Sequence, residues 1–347
     1  MPVRFLPSRW MGRLLLALAA LALVGAGLWL LTGHRAGQHA AQEPLRCAIP
    51  APAAPEPHPG MAWVPGGSFE FGDTIYAEET PVRRVQVAGF WMDRTEVTND
   101  AFAAFVKATG YVTTAEREVD PQRHPGLPPA MRQPGAVVFT MPNAVNGRGD
   151  ITQWWRYLPG ASWKHPGGPD TSIEDRGAFP VVAVSLEDAQ AYARWKGHEL
   201  PREAEWEWAA RAGEARAAQD HGQPQQANTW QGLFPVANSA QDGFVGVAPA
   251  GCYAANRLGL FDMIGNVWEW TADVYTPFHQ DPVSPADVLP PVMARTPAMQ
   301  QRVIKGGSFL CAPNYCMRYR SGARQPQDED LGASHLGFRT VLRAPDP

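Results

Sequence analysis

Glycine and proline punctuate this chain from end to end. Of its 347 residues, 33 are glycine and 34 are proline, nearly a fifth of the sequence. Proline lacks a backbone donor and fixes φ, while glycine loses the most conformational freedom on ordering, so neither extends a long helix or a central strand. The composition predicts a loop-rich domain of short regular elements. Hydrophobic residues make up 45% of the chain and include 13 tryptophans, enough for a buried core and inconsistent with disorder of the whole chain. The 30 Lys and Arg against 34 Asp and Glu give a formal net charge of −4, which lacks the basic footprint of a nucleic-acid binder. The length permits one large domain or two small ones.

One stretch stands outside this pattern. Leu14 to Leu31 carries no charge and follows Arg4, Arg9 and Arg13. As a helix it reaches roughly 27 Å, close to the thickness of a bilayer's hydrocarbon core. The three arginines before it, against Arg35 and Arg46 after it, place the N-terminus in the cytoplasm and the bulk of the chain outside. Gln38-His39-Ala40 and His39-Ala40-Ala41 are poor cleavage sites, so the expectation is a membrane anchor; a cleaved signal followed by secretion is the alternative. The flanking arginines and the linker that follows argue against a buried core helix. Cys47 follows Leu45-Arg46, a poor lipoprotein processing site. The expected organisation is a cytoplasmic tail and anchor over residues 1–35, a Pro/Ala linker over 36–60, and one folded domain over 61–343.

Within the domain, FWMDRTEVTNDAFAAFVKATG reads as a strand running into a helix. Thr98 is its N-cap, Phe102, Phe105 and Val106 its apolar face, and Gly110 its stop. VVAVSLEDAQAYARWKG reads as a second strand-to-helix unit between Ser185 and Gly197. LPREAEWEWAARAG opens a third helix, with Pro201 in its first turn and Gly213 past its end. Residues 118–180 show no sustained period and are expected to be mostly loop, and the chain is loop-like again from Asn228. Long ordered loops need fastening, and metal ions are one way to supply it.

Four cysteines are too few for a disulfide framework: Cys47 lies in the tether, Cys252 stands alone, and Cys311 and Cys316 form a pair. The pair is spaced i, i+5, unlike the CxxC of zinc ribbons and thioredoxin-like sites. Ala312-Pro313-Asn314 signals a turn that could bring both sulfurs to one side. Two converging thiolates without a nearby histidine or carboxylate suit a soft ion of low coordination number, Cu(I) before Zn(II). A local disulfide is the alternative in an oxidising compartment. Spacing does not choose between them.

The stretches MAWVPGGSFEFG, FWMDRTEVTNDAF, WKHPGGPDTSI, LPREAEWEWAARAG, NTWQGLFPV, QDGFVG, GLFDMIGNVWEWTAD, RVIKGGSFLC and LGFR resemble the formylglycine-generating enzyme (sulfatase-modifying factor) family over nearly all of residues 61–343. Several are shared with silent or differently catalytic relatives. GGSFLCAPNYCMRYR is similar to the branch that oxidises cysteine, whereas silent relatives generally lack both cysteines. The histidine-rich ligand set of iron-dependent relatives is not found. The resemblance implies an α+β fold, loop-rich and C-type-lectin-like, with little regular secondary structure, preceded here by one transmembrane helix. It implies copper-dependent oxidation by dioxygen of a cysteine in a CxPxR-like segment of an unfolded sulfatase, with Cys311 and Cys316 as the two thiolate ligands of Cu(I). Hydrogen loss from the substrate Cβ and hydrolysis of a thioaldehyde would yield formylglycine.

By the same resemblance Ser308, Trp268 and Tyr315 match active-site positions. The plainer readings are that Ser308 satisfies a turn, that Trp268 is core, and that Arg318 and Arg320 are structural ion-pair partners. The family carries structural calcium. The resemblance implies one ion held by the side chains of Asn228 and Asp242 with the carbonyls of Thr229 and Phe244. It implies a second held by Asp262 and Glu269 with the carbonyls of Met263, Gly265 and Val267. The plainer reading makes Asp242 and Asp262 turn residues. Two departures stand out: helix positions that carry structural disulfides in vertebrate relatives read Ala193 and Ala210, and the usual Asn before LGFR is His335, a candidate titratable group near the copper. The expected protein is a monomer that meets a polypeptide substrate and no nucleic acid. Alternatives are a catalytically silent binding module with Cys311–Cys316 as a disulfide, or a maturation enzyme for proteins other than sulfatases.

Overall fold

A computed structural model of the chain describes residues 45–50, 57–122, 124, 126–147, 149–215, 221–279 and 300–343. The apolar segment Leu14–Leu31 lies outside the described residues; among those described, no helix is long and apolar enough to cross a membrane. The strands are β1 (Met61–Val64), β2 (Gly67–Phe71), β3 (Arg83–Val87), β4 (Phe90–Asp93), β5 (Gly135–Phe139), β6 (Trp155–Pro159), β7 (Trp268–Val274), β8 (Gln301–Lys305), β9 (Arg324–Asp328), β10 (Leu336–Gly337) and β11 (Val341–Arg343). The helices are α1 (Asn99–Thr109), α2 (Leu186–Lys196) and α3 (Glu203–Ala210). The loop-rich character read from the composition is present, as is the mixture of short helices and strands that the resemblance implies.

Helix α1 begins where Thr98 accepts a hydrogen bond from the Ala101 amide and ends on Gly110 at φ 68°, as its sequence signals require. Helix α2 starts on a reciprocal box, Ser185 with Asp188, and stops on Gly197 at φ 70°. The strand expected before it is absent. Val181 to Val184 are buried, but Ala183 has φ 58°, and the run is held by isolated bonds to Val97 and Ala333 rather than by a ladder. Helix α3 opens on Arg202, so Pro201 lies before the first turn rather than in it. The expected loop over 118–180 contains the antiparallel hairpin of β5 and β6, paired from Gly135 with Pro159 to Phe139 with Trp155. The connection spans residues 140–154, so the Asn146-Gly147 pair inside it is not flanked by the paired strands as a two-residue hairpin turn would be.

A four-stranded sheet in the order β10-β7-β8-β9 forms the centre, and β1-β4-β11 forms a second sheet. Strand β7 starts with four consecutive buried residues, Trp268 to Thr271, because both of its faces are covered. On one side the aromatic rings of Phe102, Phe105, Tyr192 and Phe338 pack with Trp268 and Trp270, and Cys311 and Cys316 belong to the same cluster. A smaller cluster of Trp154, Trp230, Phe234, Phe309 and Leu310 adjoins it.

The cysteine reading needs a correction. Cys47 and Cys252 form a disulfide across a sequence separation of 205, with Cα atoms 5.0 Å apart. Spacing carries no signal for partners so distant. Leu45 to Pro50 lie against the domain: Arg46 pairs with Asp100 at 2.8 Å, and Arg94 donates to the Pro50 carbonyl at 3.2 Å.

Candidate active site

Strand β8 is followed by Gly306-Gly307, both at positive φ, 96° and 75°. A Cβ on Gly307 would stand 2.8 Å from the Arg318 carbonyl, so glycine is what lets this segment run against the one after Cys316. The chain then folds into consecutive turns. The Cys311 amide donates to the Ser308 carbonyl at 2.9 Å, and the Cys316 amide to that of Ala312 at 2.9 Å. The turn at Ala312-Pro313-Asn314 brings the two sulfurs to one side. They stand 2.9 Å apart as free thiols, with Cys311 1% and Cys316 7% exposed.

A disulfide requires about 2.05 Å between sulfurs, so this pair is close but unbonded. The hydrogen bond from Cys311 holds the Cys316 thiol below its ordinary value, to about 7, with help from the N–H groups and charge of Arg318. Burial pushes the Cys311 thiol up. One thiol beside one readily formed thiolate is the resting chemistry of the pair.

Ser308 is fully buried; its hydroxyl accepts from the Leu310 amide at 3.3 Å, so it shapes the turn that carries Cys311. Trp268 is 2% exposed, packs in the sulfur-bearing cluster, and donates its amide to the His335 carbonyl at 2.8 Å. Tyr315 is the exposed member at 45%. Its ring stacks on Phe234 at 4.1 Å, with Trp154 edge-on at 6.2 Å. A cleft of about 310 Å³ opens at Phe309, lined also by Phe139, Arg176, Val247, Trp230 and Ser334, and neither cysteine lines it.

Arg318 and Arg320 are ion-paired. Arg318 pairs with Glu78 and lies over the Tyr76 ring at 4.1 Å; Arg320 pairs with Asp73 and with Glu79. The Tyr76 hydroxyl accepts from the Met317 amide at 3.1 Å. Residues 73–79 therefore clamp the backbone next to Cys316. Nothing in the sequence announces this clamp beyond the charge complementarity of Glu78-Glu79 with Arg318 and Arg320.

His335 does not supply the titratable group its position suggests. Its imidazole is 8% exposed beside the Trp155 ring at 4.6 Å, and burial pushes its pKa down to about 3. It is neutral through the physiological range.

In the first oxygen-rich set the Asp242 carboxylate ties two segments together. Asp242 accepts from the Thr229 amide at 3.0 Å and from the Phe244 amide at 3.2 Å. Asn228 donates to Gly246 and Asn266, leaving its buried Oδ1 without a hydrogen-bond donor. A buried acceptor without a donor, one residue from an amide bound to Asp242, fits a hard cation.

In the second set, Gly265 stands where a Cβ would meet the Asn228 carbonyl at 2.3 Å, so the two sets share a wall. Asp262, at φ 52°, accepts from the Gly251 amide at 2.5 Å, and burial raises its carboxyl to about 6. Glu269 is engaged by Arg339 at 2.7 Å through both oxygens and by the Trp206 indole at 2.7 Å. The carboxylate facing Asp262 is Glu96, absent from the sequence reading. Burial and the charge of Asp262 raise its pKa, and its Oε2 has no donor. Glu96 stands in the TEVTN stretch, far along the chain from Asp262, and looks like an ordinary helix-flanking acid. Among the described residues no three His, Cys, Asp or Glu side chains cluster to hold a metal, so a cation at either set would rely on amide and carbonyl oxygens.

Residues 48–344 match the family model for the sulfatase-modifying factor enzyme 1-like domain. The formylglycine-generating enzyme of Mycobacterium tuberculosis is 50% identical, covering 80% of this chain and 96% of that protein. The inactive C-alpha-formylglycine-generating enzyme 2 of Mus musculus is 33% identical, covering 83% of this chain and 87% of that protein. The structure of PvdO from Pseudomonas aeruginosa aligns with a TM-score of 0.54 at 24% identity, over 81% of this chain and 93% of that one, a likeness of fold alone. With the family model spanning the domain and half of all aligned residues shared with one relative, the chain belongs to the formylglycine-generating, sulfatase-modifying factor family.

Proposed function

We propose that this chain oxidises a cysteine of a sulfatase, within a CxPxR-type segment, to formylglycine, with dioxygen as co-substrate and Cu(I) held by Cys311 and Cys316. The observation that carries the reading is the buried, unbonded sulfur pair at 2.9 Å. Cu(I), when bound, supplies redox chemistry with dioxygen that protein side chains lack. The chain's own residues do the rest. Ser308 and Ala312 fix the turns that bring the sulfurs together, and the clamp at Tyr76, Glu78 and Glu79 holds the segment leaving Cys316. Burial among Trp268, Tyr319 and Leu336 limits access of water and of stray oxidants. The stacked Tyr315 and Phe234 offer a flat apolar face beside Cys316, suited to the proline of the substrate segment. Two electrons and two protons leave the substrate's Cβ–H and S–H for dioxygen, and hydrolysis of the thioaldehyde releases hydrogen sulfide and the aldehyde.

Structural calcium completes the proposal. Asn228 and Asp242, with the carbonyls of Thr229 and Phe244, would hold one ion. Asp262 and Glu96, with the carbonyls of Met263, Gly265 and Val267, would hold a second, since Glu269 is spent on Arg339. The membrane reading of Leu14–Leu31 belongs here too: the anchor would leave the domain outside the cytoplasm, and the Cys47–Cys252 disulfide is supporting chemistry because such bonds persist in oxidising compartments.

The silent-module alternative would have Cys311 and Cys316 joined as a disulfide, whereas here the two thiols are unbonded at 2.9 Å. The test is incubation of the Cu(I)-loaded protein with a peptide containing CTPSR, read by mass spectrometry for conversion of cysteine to aldehyde. Cys311→Ala and Cys316→Ala should each abolish conversion. A wild-type chain that takes up Cu(I) and leaves the peptide intact sinks the reading.

A further inference from the structure

The Cys47–Cys252 disulfide joins the tether to a loop with an unusual set of partners. On one side of Cys252, the Gly251 amide donates to Asp262 at 2.5 Å. On the other, the Tyr253 hydroxyl donates to the Asp242 carbonyl at 3.0 Å. Asp262 and Asp242 belong to the two different oxygen-rich sets. Earlier in the same loop, the Ala248 amide donates to the Asn266 side chain at 2.9 Å, and Asn266 in turn accepts from the amide of Phe309, two residues before Cys311. The tether grips this loop by more than its sulfur. Ile49 fills the space beside Gly251, where a Cβ would come within 2.6 Å of it.

We propose that the Cys47–Cys252 disulfide is a positioning clasp for both cation sets: by fixing the loop at residues 248–253 it holds Asp262 and Asp242 in place, which makes the tether a structural part of the cation-binding region. This rests on the calcium reading above. The physical basis is that irregular backbone with few ladder bonds is held only as firmly as its individual fastenings. Here a single covalent link lies one residue from each of the two hydrogen bonds that reach the sets. Losing the link removes the constraint on both at once.

The test compares the full chain with Cys47→Ser/Cys252→Ser, using calcium alone as the probe. Hydrogen exchange over residues 248–253 should accelerate at least tenfold, and calcium affinity measured by titration calorimetry should fall at least tenfold. Arg46→Ala, which removes only the exposed tether ion pair, should change neither by more than about twofold. Tyr253→Phe keeps the disulfide and cuts the bond to the Asp242 carbonyl, so it should weaken one of two calcium-binding events and spare the other; it also covers the case in which the double variant does not fold. Unchanged exchange and unchanged calcium affinity in a folded double variant would overturn the proposal, as would an effect of Arg46→Ala as large as that of losing the disulfide. A wild-type chain that takes up no calcium overturns the cation reading, and the exchange result alone then decides whether the clasp orders the loop.

Discussion

His335 is a buried base kept neutral, and that has a definite consequence for stability. Its native pKa of about 3 lies below the roughly 6.5 of an unfolded chain. Between those values the unfolded state binds a proton that the native state does not, so stability falls as pH drops through that window, by at most about 1.4 kcal/mol per pH unit. His335→Asn should remove this slope. Urea unfolding of the two proteins at pH 7 and pH 5 should differ by about 2 kcal/mol in their pH dependence, while their activity profiles from pH 6 to 8 superimpose. Equal acid sensitivity would show that the imidazole is solvated. The sulfur pair offers a second residue-level expectation. In metal-free protein Cys316, the lower-pKa and more exposed partner, should be alkylated by iodoacetamide ahead of Cys311, its rate falling as pH drops below about 7. Peptide mapping after brief labelling reads the order directly, and preferential labelling of Cys311 would reverse the assignment. At this scale the sequence was informative where chemistry is local: the two sulfurs and the turn between them are contiguous. Glu96 and the disulfide partner of Cys47 were invisible because their significance comes from residues 166 and 205 positions away, which no local pattern encodes.

Elements were legible in proportion to how locally their ends are written. Thr98, Gly110, Ser185 and Gly197 each cap a helix through groups within a few residues, and α1 and α2 begin and end where those residues stand. The β5–β6 hairpin was not legible, because its pairing is set across the long segment 140–154 with no two-residue turn to announce it. The buried run at 181–184 misled for the opposite reason: hydrophobicity reports burial, and burial without a ladder is not a strand. Strand β7 carries the most instructive side chain. Glu269 and Arg339 are 1% and 0% exposed, joined by two bonds of 2.7 Å, and Arg339 also reaches the carbonyls of Phe261 and Asp93. Removing one member of such a pair strands a buried charge. Glu269→Gln should therefore cost about 3–5 kcal/mol by urea unfolding. If Glu269 serves Arg339 rather than a cation, the loss should be the same in calcium and in chelator. A loss seen only with calcium present would return Glu269 to the ion.

Across the whole molecule, a chain with so many breakers achieves order by cross-links between distant segments rather than by long ladders. The buried pairs of Arg320 with Glu79, Arg324 with Glu203, and Lys305 with Glu207 are of this kind, and each joins residues about a hundred positions apart or more. Such links need their charges satisfied on both sides, which these are, since a half-satisfied buried network costs more than an apolar core. The disulfide is the longest covalent link and acts chiefly on the unfolded chain. For a closed loop of this length the chain-entropy model gives about 5 kcal/mol, with strain and residual structure usually bringing measured values to about 2–4 kcal/mol. Calcium adds a separate contribution, because a ligand that binds only the native state stabilises it in proportion to the logarithm of its saturation. The two contributions can be separated by measurement. In chelator, Cys47→Ser/Cys252→Ser should lose about 2–4 kcal/mol relative to wild type by urea unfolding. In saturating calcium the gap should widen if the clasp positions the cation sets, because the variant then also forfeits part of the binding term. A gap of equal size in both conditions would mean that the disulfide acts on the unfolded chain alone and leaves the sites as they are.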